Sequence, residues 1–449
     1  MAAIQQQQHS GGNPLRAAPD WPWAVVTGAF QTGVVLMRDL AQRGLRVCCI
    51  DHNPAQPGFR TIYGKGYLCP NPEEAPEEWV IFMRMLAGRL GGKPVLISSA
   101  DLYVTAIADH AAALEAHFTF AQSMASQALL ATKKRQYELS ELHGLPVPRT
   151  RFVTSLAEIV EFGSVARFPC LLKPVHFRDW MRLPAGHPLL DEKIVIANSR
   201  EDLALKYKLA AEASGELVAQ EIIEGPDTAK LVYLSCYAKS GLRLGHCMLR
   251  QLRTNPKDFG SASVVEPTID EEADRLCDGF LRGMGYTGIC EIELKRDSRD
   301  GQVKMIEANP RYSVTADAGK YAGVELGWLH YLDLIEDLTG QAAIPVEPNG
   351  RNFRHIVLER DSAALASYRQ AGMLTWKQLL HSYRAPVGFF DFDFRDWRVT
   401  ASTLDRVLRN LAGPGLRKAF RRLGAQRVDD VITDLGIGKR HFGLAGQQQ

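Results

Sequence analysis

Three short apolar segments near the N-terminus constrain the fold of this chain most strongly. They cover 23–27, 46–50 and 94–98, and a stretch with helical periodicity up to Arg43 lies between the first two. Apolar runs of about five residues that alternate with helices are typical of buried strands in a parallel sheet. The sequence therefore predicts a βαβ opening and an α/β class of fold for this part of the chain.

The turn after the first segment has part of the spacing of a dinucleotide-binding loop. Gly28 and Gly33 flank it, and Asp51 follows Gly33 by 18 positions. The middle glycine of a G-x-G-x-x-G motif is missing, and no Lys-Ser or Lys-Thr pair follows as in a phosphate-binding loop. An NAD-dependent dehydrogenase is therefore the weaker alternative.

The composition indicates a soluble globular chain of more than one domain. The sequence has 449 residues, 46% hydrophobic and 23% charged, and a formal net charge of +2. Single cores stop growing near about 250–300 residues, so two or three domains are expected. Sequence-independent nucleic-acid binding requires an excess of basic residues, which a near-neutral chain lacks.

The cysteines and the N-terminus indicate the compartment. The eight cysteines include no C-x-x-C pair, and the N-terminus does not have the pattern of a signal peptide. We therefore expect reduced thiols and a cytoplasmic location.

Two neighbouring segments carry acidic side chains in strand alternation. Glu291 and Glu293 share one face of a strand, and Glu307 and Asn309 share one face of the next. Pairing these strands would gather three carboxylates and an amide, which is costly without a cation because like charges repel. An all-oxygen donor set suits Mg²⁺ and argues against Zn²⁺. The alternative is a solvated edge hairpin, but Arg311 follows directly and favours the cation site.

Two lysines and one turn have the chemistry to bind a nucleotide. Lys173 ends an apolar strand, and Lys133 begins a predicted helix that runs to His143. Each would place a positive charge against phosphate, although an exposed surface lysine is the alternative for Lys133. The segment from Gln220 to Asp227 is an apolar strand that runs into a turn. Backbone groups there can hydrogen-bond an adenine edge, and the acidic residues after it can accept from ribose hydroxyls.

In this order, the segments resemble the ATP-grasp superfamily over about residues 94–340. The resemblance rests on Lys133 with the turn 144–148, on Lys173, on the hinge 220–227 and on the strands that end in Asn309-Pro-Arg. It implies a mixed α/β and α+β fold, with a Rossmann-like domain before two subdomains that clasp ATP. Within the superfamily the chain is most similar to carboxylate-amine ligases of the D-aspartate ligase type.

Domain boundaries follow from this resemblance. We expect a disordered tail over 1–20, a Rossmann-like domain over 21–125, and an ATP-grasp domain of two subdomains over 126–340. A C-terminal extension covers 341–449. No run of about 18 apolar residues occurs, so we expect no transmembrane segment.

The resemblance also implies roles for individual residues. The nucleotide-binding residues would be Lys133, Lys173, Gln220, Glu221, Ile223 and Asp227. The ligands of two Mg²⁺ ions, or of Mn²⁺ in their place, would be Glu293, Glu307 and Asn309. The two lysines would contact the α- and β-phosphates, the backbone of the hinge would bind adenine, and the hinge aspartate would approach the ribose.

Basic residues and the first turn would serve the acyl and acceptor groups. Arg311 would face the γ-phosphate or the acyl group. Arg250 and Arg253 would stabilise an acyl phosphate, with a solvated strand as an equally weighted alternative. The acceptor substrate would lie beside the first turn, at Gly28, Thr32 and Gly33, for which a purely structural turn is the alternative.

The implied reaction joins a carboxylate to an amine. The carboxylate attacks the γ-phosphate of ATP, the amine attacks the resulting acyl phosphate, and ADP and phosphate are released. The partners would be small-molecule acids and amines, with no nucleic acid, and a homo-oligomer is left open. A non-catalytic ATP-binding sensor or scaffold is the main alternative.

One loop differs from the family pattern, and the C-terminal extension lies outside the part of the chain that the pattern covers. The loop 176–193, which would cover phosphate, is bulky and basic instead of rich in glycine and serine. The extension carries two basic amphipathic segments, 404–411 and 416–423, for which a face packed on the body is the commoner case. Peripheral contact with an anionic membrane through these segments is the alternative.

Overall fold

The computed structural model describes residues 16–411 apart from a few positions, which are 176–177, 182, 185, 191, 193 and 384–385. Three expectations therefore lie outside the described residues in whole or in part. They are the disordered tail over 1–20, the phosphate-covering loop 176–193 and the basic segment 416–423.

The N-terminal part contains a parallel sheet of four strands in the order β3-β2-β1-β4. Its strands are β1 (Ala24–Thr27), β2 (Val47–Asp51), β3 (Lys65–Leu68) and β4 (Val95–Ser98). The helices of this part are α1 (Gln31–Gln42), α2 (Pro76–Leu90), α3 (Asp101–Asp109), α4 (Ala111–Leu114) and α5 (Met124–Leu130). The three apolar segments thus form parallel strands, which confirms the predicted βαβ opening. The third strand in sequence has only partly buried or exposed residues and lacks an apolar run.

An antiparallel sheet follows, with its four strands in the order β5-β8-β6-β7. Its strands are β5 (Thr150–Val153), β6 (Cys170–Pro174), β7 (Val195–Ala197) and β8 (Leu217–Glu221). The helices are α6 (Lys133–Leu142), α7 (Leu156–Val165), α8 (Arg178–Met181) and α9 (Arg200–Ala213). Ser199 caps the last of them, because its hydroxyl oxygen accepts a 3.2 Å hydrogen bond from the amide of Asp202.

The largest sheet has seven strands in the order β13-β12-β9-β10-β11-β14-β15. Its strands are β9 (Lys230–Tyr237), β10 (Arg243–Asn255), β11 (Ser261–Pro267), β12 (Gly288–Arg296), β13 (Val303–Asn309), β14 (Arg354–Ile356) and β15 (Val387–Phe389). The remaining helices are α10 (Glu271–Gly283), α11 (Leu326–Thr339), α12 (Leu358–Gln370), α13 (Trp376–Ser382) and α14 (Trp397–Leu411). Short 3₁₀ turns occupy Pro57–Phe59, Asp227–Ala229 and Thr315–Ala322.

The mixed architecture confirms the predicted class of fold. The extension contributes β14 and β15 to the large sheet, and these strands pair in parallel with each other. One apolar core joins the N-terminal sheet to the large sheet, with Leu36 of α1 and Tyr331 of α11 among its buried members. All eight cysteines are buried and free, as predicted. No helix among the described residues is long and apolar enough to cross a membrane.

Candidate functional site

A cavity of about 360 Å³ lies between the four-stranded antiparallel sheet and the large sheet. Seven of the nine residues expected to bind nucleotide or metal line it. They are Lys133, Lys173, Gln220, Glu221, Ile223, Glu293 and Glu307. The cavity is therefore built by segments that are up to 174 positions apart in sequence, from Lys133 to Glu307.

The acidic strands pair in the register that their alternation predicts. Glu291 lies opposite Asn309, and Glu293 lies opposite Glu307. Residues directly opposite on one face of an antiparallel pair have their Cβ atoms about 5 Å apart. Two carboxylates therefore face the cavity side by side.

Glu291 differs from its two acidic neighbours because its carboxylate is saturated by protein groups. It accepts hydrogen bonds from Asn309 Nδ2 at 2.9 Å, from Ser313 Oγ at 2.6 Å and from the hydroxyl of Thr315. The amide oxygen of Asn309 accepts from the guanidinium of Arg311 at 3.1 Å. Glu291 thus orients Asn309, and the open acidic pair is Glu293 with Glu307.

The open acidic pair has the chemistry of a divalent-cation site. Burial raises the pKa of Glu293 to about 8, and the negative charges of Glu291 and Glu307 act in the same direction. No group of three or more His, Cys, Asp or Glu side chains in the described residues is arranged to hold a metal ion by itself. Mg²⁺ is commonly held by one or two carboxylates together with waters and substrate phosphates, so the pair fits a metal that arrives with a nucleotide.

Because a proton and the metal would compete for Glu293, we expect metal binding to depend on pH. Between the ordinary pKa of a glutamate and about 8, the folded protein keeps a proton on Glu293 that the bound metal must displace. We expect the affinity for MgADP to increase from pH 6 to pH 8 and to level off above that. Calorimetry across this range tests the expectation, and Glu293→Gln should remove the dependence. An unchanged pH profile in that variant would contradict it.

A lysine faces the acidic pair from the opposite sheet. Lys173 Nζ donates a 3.3 Å hydrogen bond to Gln220 Oε1. Burial lowers the pKa of Lys173, and the attraction of Glu307 opposes that shift. Lys133 lines the same cavity from the first turn of α6. Two cationic side chains and two carboxylates therefore share one partly closed space, which suits a polyphosphate with its metal.

The hinge is fixed by contacts behind the cavity. The amide of Glu221 donates to the carbonyl oxygen of Arg149 at 2.9 Å. The carboxylate of Glu221 accepts from the amide of Arg167 at 2.9 Å and from its guanidinium at 3.3 Å. The amide of Ile222 donates to the carbonyl oxygen of Pro169 at 3.1 Å. The side chain and amide of Glu221 are thus occupied by the protein.

The carboxylate of Asp227 has several partners within the protein. Its carboxylate is almost fully buried, forms an ion pair with Lys230 at 2.8 Å, and accepts hydrogen bonds from Thr254 and Tyr368. Burial works against its charge, but the attraction of Lys230 and these hydrogen bonds hold the pKa of Asp227 below its usual value. A ribose hydroxyl would therefore have to compete with these partners for the carboxylate.

Arg250 and Arg253 lie away from the cavity and pair with carboxylates of the protein. Arg250 is half exposed and pairs with Glu266 on the neighbouring strand. Arg253 is buried, and its guanidinium donates to both carboxylate oxygens of Asp361 at 2.7 and 2.8 Å. Neither arginine lines the cavity. Arg250 pairs with the adjacent strand at the surface, and Arg253 links β10 to α12.

The buried pair of Arg253 and Asp361 predicts a stability effect. Arg253→Met would leave the buried Asp361 without its cation, which costs about 3–5 kcal/mol of unfolding free energy. Urea unfolding measures this loss, and replacing Asp361 by Asn in the same variant should recover part of it. Normal stability with lost activity would instead support the catalytic reading of Arg253.

Arg311 joins the site to the N-terminal sheet. Its guanidinium donates to the two carboxylate oxygens of Asp101 at 2.7 and 3.0 Å, at the start of α3. Asp101 lies just beyond the carboxyl end of β4, the edge at which open α/β sheets bind ligands. Arg311 is therefore held between the acidic strands and that edge.

The first turn is tightly packed. Gly28 has φ +98°, and a Cβ there would lie 2.8 Å from Ser99 Oγ; a Cβ at Gly33 would lie 2.0 Å from the carbonyl oxygen of Gly28. Thr32 is buried. Asp51 accepts from the amide of Ala29 at 2.8 Å and is itself buried, so it secures the turn. These contacts explain both glycines by packing and leave no exposed carboxylate at Asp51 for a dinucleotide ribose.

Three charged residues at or near the candidate site were not singled out by the sequence analysis. Lys230 and Lys295 lie opposite each other on β9 and β12 and line the cavity. Burial lowers the pKa of Arg360 on α12, and the negative charges of Glu293 and Glu291 oppose that shift. No motif marks these residues, because their roles depend on strand pairing and on the packing of the extension.

Solved structures share this fold. N5-carboxyaminoimidazole ribonucleotide synthetase from Thermus thermophilus has a TM-score of 0.57 at 13% identity, with 87% of this chain and 99% of that chain covered. The biotin carboxylase domain of Hydrogenobacter thermophilus 2-oxoglutarate carboxylase, solved with MgADP and bicarbonate, has a TM-score of 0.52 at 16% identity over 71% and 69%. The chain therefore shares the fold of these two enzymes.

The chain is also similar in sequence to a known enzyme. D-aspartate ligase of Enterococcus faecium (strain Aus0004) is 28% identical over 233 residues, which are 49% of this chain and 53% of the ligase. The chain spans about half the length of this relative. No protein-family model matches the chain. The resemblance to D-aspartate ligase-like members of the ATP-grasp superfamily is thus confirmed at the level of sequence.

Proposed function

We propose that this chain is an ATP- and Mg²⁺-dependent ligase. It activates a carboxylate as an acyl phosphate and joins it to an amine, with release of ADP and phosphate. The observation that carries the proposal is the cavity itself, in which Lys133 and Lys173 share one space with the Glu293 and Glu307 pair. The similarity to D-aspartate ligase supports the same class of reaction.

Each part of the cavity has a task in this reaction. When bound, Mg²⁺ would neutralise charge on the transferring phosphoryl group, and Glu293 and Glu307 would hold it. Lys173, partly buried beside Gln220, would bind phosphate oxygens. The apolar side chains of Leu171 and Ile306 line the same cavity and would enclose a purine.

Arg360 is the residue best placed to bind the reacting acid. Arg250, Arg253 and Arg311 are held by Glu266, Asp361 and Asp101, and Arg360 of the extension interacts electrostatically with Glu293 and Glu291. A guanidinium between a metal site and an incoming carboxylate can bind both oxygens of that carboxylate. We therefore propose that the carboxylate substrate binds between Arg360 and the acidic pair.

An ADP-release screen with product analysis tests the proposal. Amino acids, small acids and amines are combined with ATP and Mg²⁺, and mass spectrometry identifies the product. With a substrate labelled by ¹⁸O in its carboxylate, one label should appear in the released phosphate, because the carboxylate oxygen attacks phosphorus. ADP release without transfer of label would contradict the acyl phosphate. ATP binding without turnover under any combination would support the sensor alternative.

A further inference from the structure

One lysine in the cavity of the candidate functional site has no partner in the protein. Lys295 lies near the end of β12, two positions after Glu293, and both residues line the cavity. Lys295 is 8% exposed, and none of the described residues forms a hydrogen bond or an ion pair with its ammonium group. A buried donor without an acceptor is costly, so this position calls for a ligand that accepts hydrogen bonds.

The neighbouring lysine differs because its charge is compensated. Lys230 lies directly opposite Lys295 on β9 and lines the same cavity. Its ammonium group lies 2.8 Å from a carboxylate oxygen of Asp227 and donates to the carbonyl oxygen of Asp258. Of these two lysines, Lys295 is therefore the one whose charge is not paired.

The carboxylates that attract Lys295 are engaged by other lysines. Burial and the positive charge of Lys230 lower the pKa of Lys295, and three aspartates oppose this shift. These aspartates are Asp227, Asp258 and Asp297, which form ion pairs with Lys230, Lys257 and Lys304. Their charges are thus shared, and an acceptor on a ligand would meet little competition for Lys295.

Lys295 lies between the open acidic pair and the hinge. Two residues of a strand span about 6.6 Å, so Lys295 is displaced by about this distance from Glu293 along one face of β12. At the hinge, a Cβ on Gly225 would lie 3.7 Å from Cε of Lys295. A nucleotide with its base at the hinge and its phosphates at the acidic pair would therefore have its sugar beside Lys295.

We propose that Lys295 binds the ribose of the nucleotide by donating a hydrogen bond to one of its hydroxyl oxygens. The inference rests on the proposed function, because it takes the cavity as the nucleotide site, and it adds a residue that recognises the sugar. The carboxylate of Asp227 is already bound by Lys230 and Tyr368. Lys295 is therefore better placed than Asp227 to bind the sugar.

Calorimetric titration of the full chain tests this contact without using activity. The wild-type protein should bind MgADP about tenfold or more tightly than the Mg²⁺ complex of 2′,3′-dideoxy-ADP. Lys295→Met should bind the two nucleotides with nearly equal affinity. Because burial disfavours the charge of Lys295, this variant should keep the Tm of the wild-type protein. The same preference for MgADP in the variant and the wild-type protein would overturn the proposal.

Two further variants separate the sugar contact from general effects of charge. Lys173→Met should weaken both nucleotides to the same degree, because this lysine would bind phosphate. Lys134→Met should change neither affinity, because Lys134 is exposed and outside the cavity. Loss of the preference for MgADP in both of these variants would overturn the assignment to Lys295.

The wild-type titrations also distinguish this proposal from the ligase proposal. If the wild-type chain bound both nucleotides with equal affinity, the sugar contact would be wrong and the nucleotide site would stand. If it bound neither nucleotide, the proposed ligase function would be wrong as well.

Discussion

Glu307→Gln is expected to abolish ADP release while leaving the fold intact. The substitution keeps the size of the side chain and removes one of the two carboxylates that face the cavity. Loss of a charged metal ligand weakens stabilisation of the transferring phosphoryl group, so we expect a fall in kcat of at least about 100-fold. Coupled measurement of ADP with each substrate pair gives the rate.

Stability and a matched substitution control this experiment. Since Glu307 is close to other carboxylates and raises the pKa of Glu293, removing its charge should not destabilise the apo protein. Glu78→Gln, at an exposed position on α2, should change neither rate nor stability. Undiminished ADP release by the Glu307 variant would refute the assigned metal site.

Lys173→Met is expected to weaken binding of MgADP by about 10–100-fold. A hydrogen bond to a charged group contributes about 1.5–3 kcal/mol, and this partly buried lysine is attracted by Glu307. Because burial disfavours its charge, the apo protein should be at least as stable with methionine in its place. Calorimetric titration with MgADP measures the affinity.

The neighbouring helix offers a control for charge alone. Lys134 is exposed, and its ammonium group lies over the ring of Phe152 outside the cavity. Lys134→Met should therefore leave the affinity for MgADP unchanged. Equal losses for Lys134→Met and Lys173→Met would show that general charge attraction, instead of the cavity, binds the nucleotide.

Residues that act within a local strand pattern could be predicted from the sequence. The alternation of Glu291 and Glu293, and of Glu307 and Asn309, predicted both their shared face and their pairing. The period of a strand is fixed by backbone geometry, so a short segment is enough to place its side chains. Lys173 at the end of β6 followed from the same reasoning.

Residues whose role depends on distant partners could not be predicted in this way. In the sequence alone, Arg253 looks like an unpaired arginine on a strand, because its partner Asp361 lies 108 positions later. Asp227 likewise looks like a free acid of the hinge, because Tyr368, which donates a hydrogen bond to it, lies 141 positions later. Both partners lie in the extension. Its strands are short and its helices polar, so the hydrophobic periodicity that would predict their positions is weak. Arg360 was missed for the same reason.

A structure of the chain with MnADP tests the central claim most directly. Anomalous scattering locates Mn²⁺, which takes oxygen ligands as Mg²⁺ does. We expect the metal within bonding distance of Glu293 and Glu307, with the phosphates between it and Lys173. Manganese bound elsewhere, or ADP outside the cavity, would contradict the account.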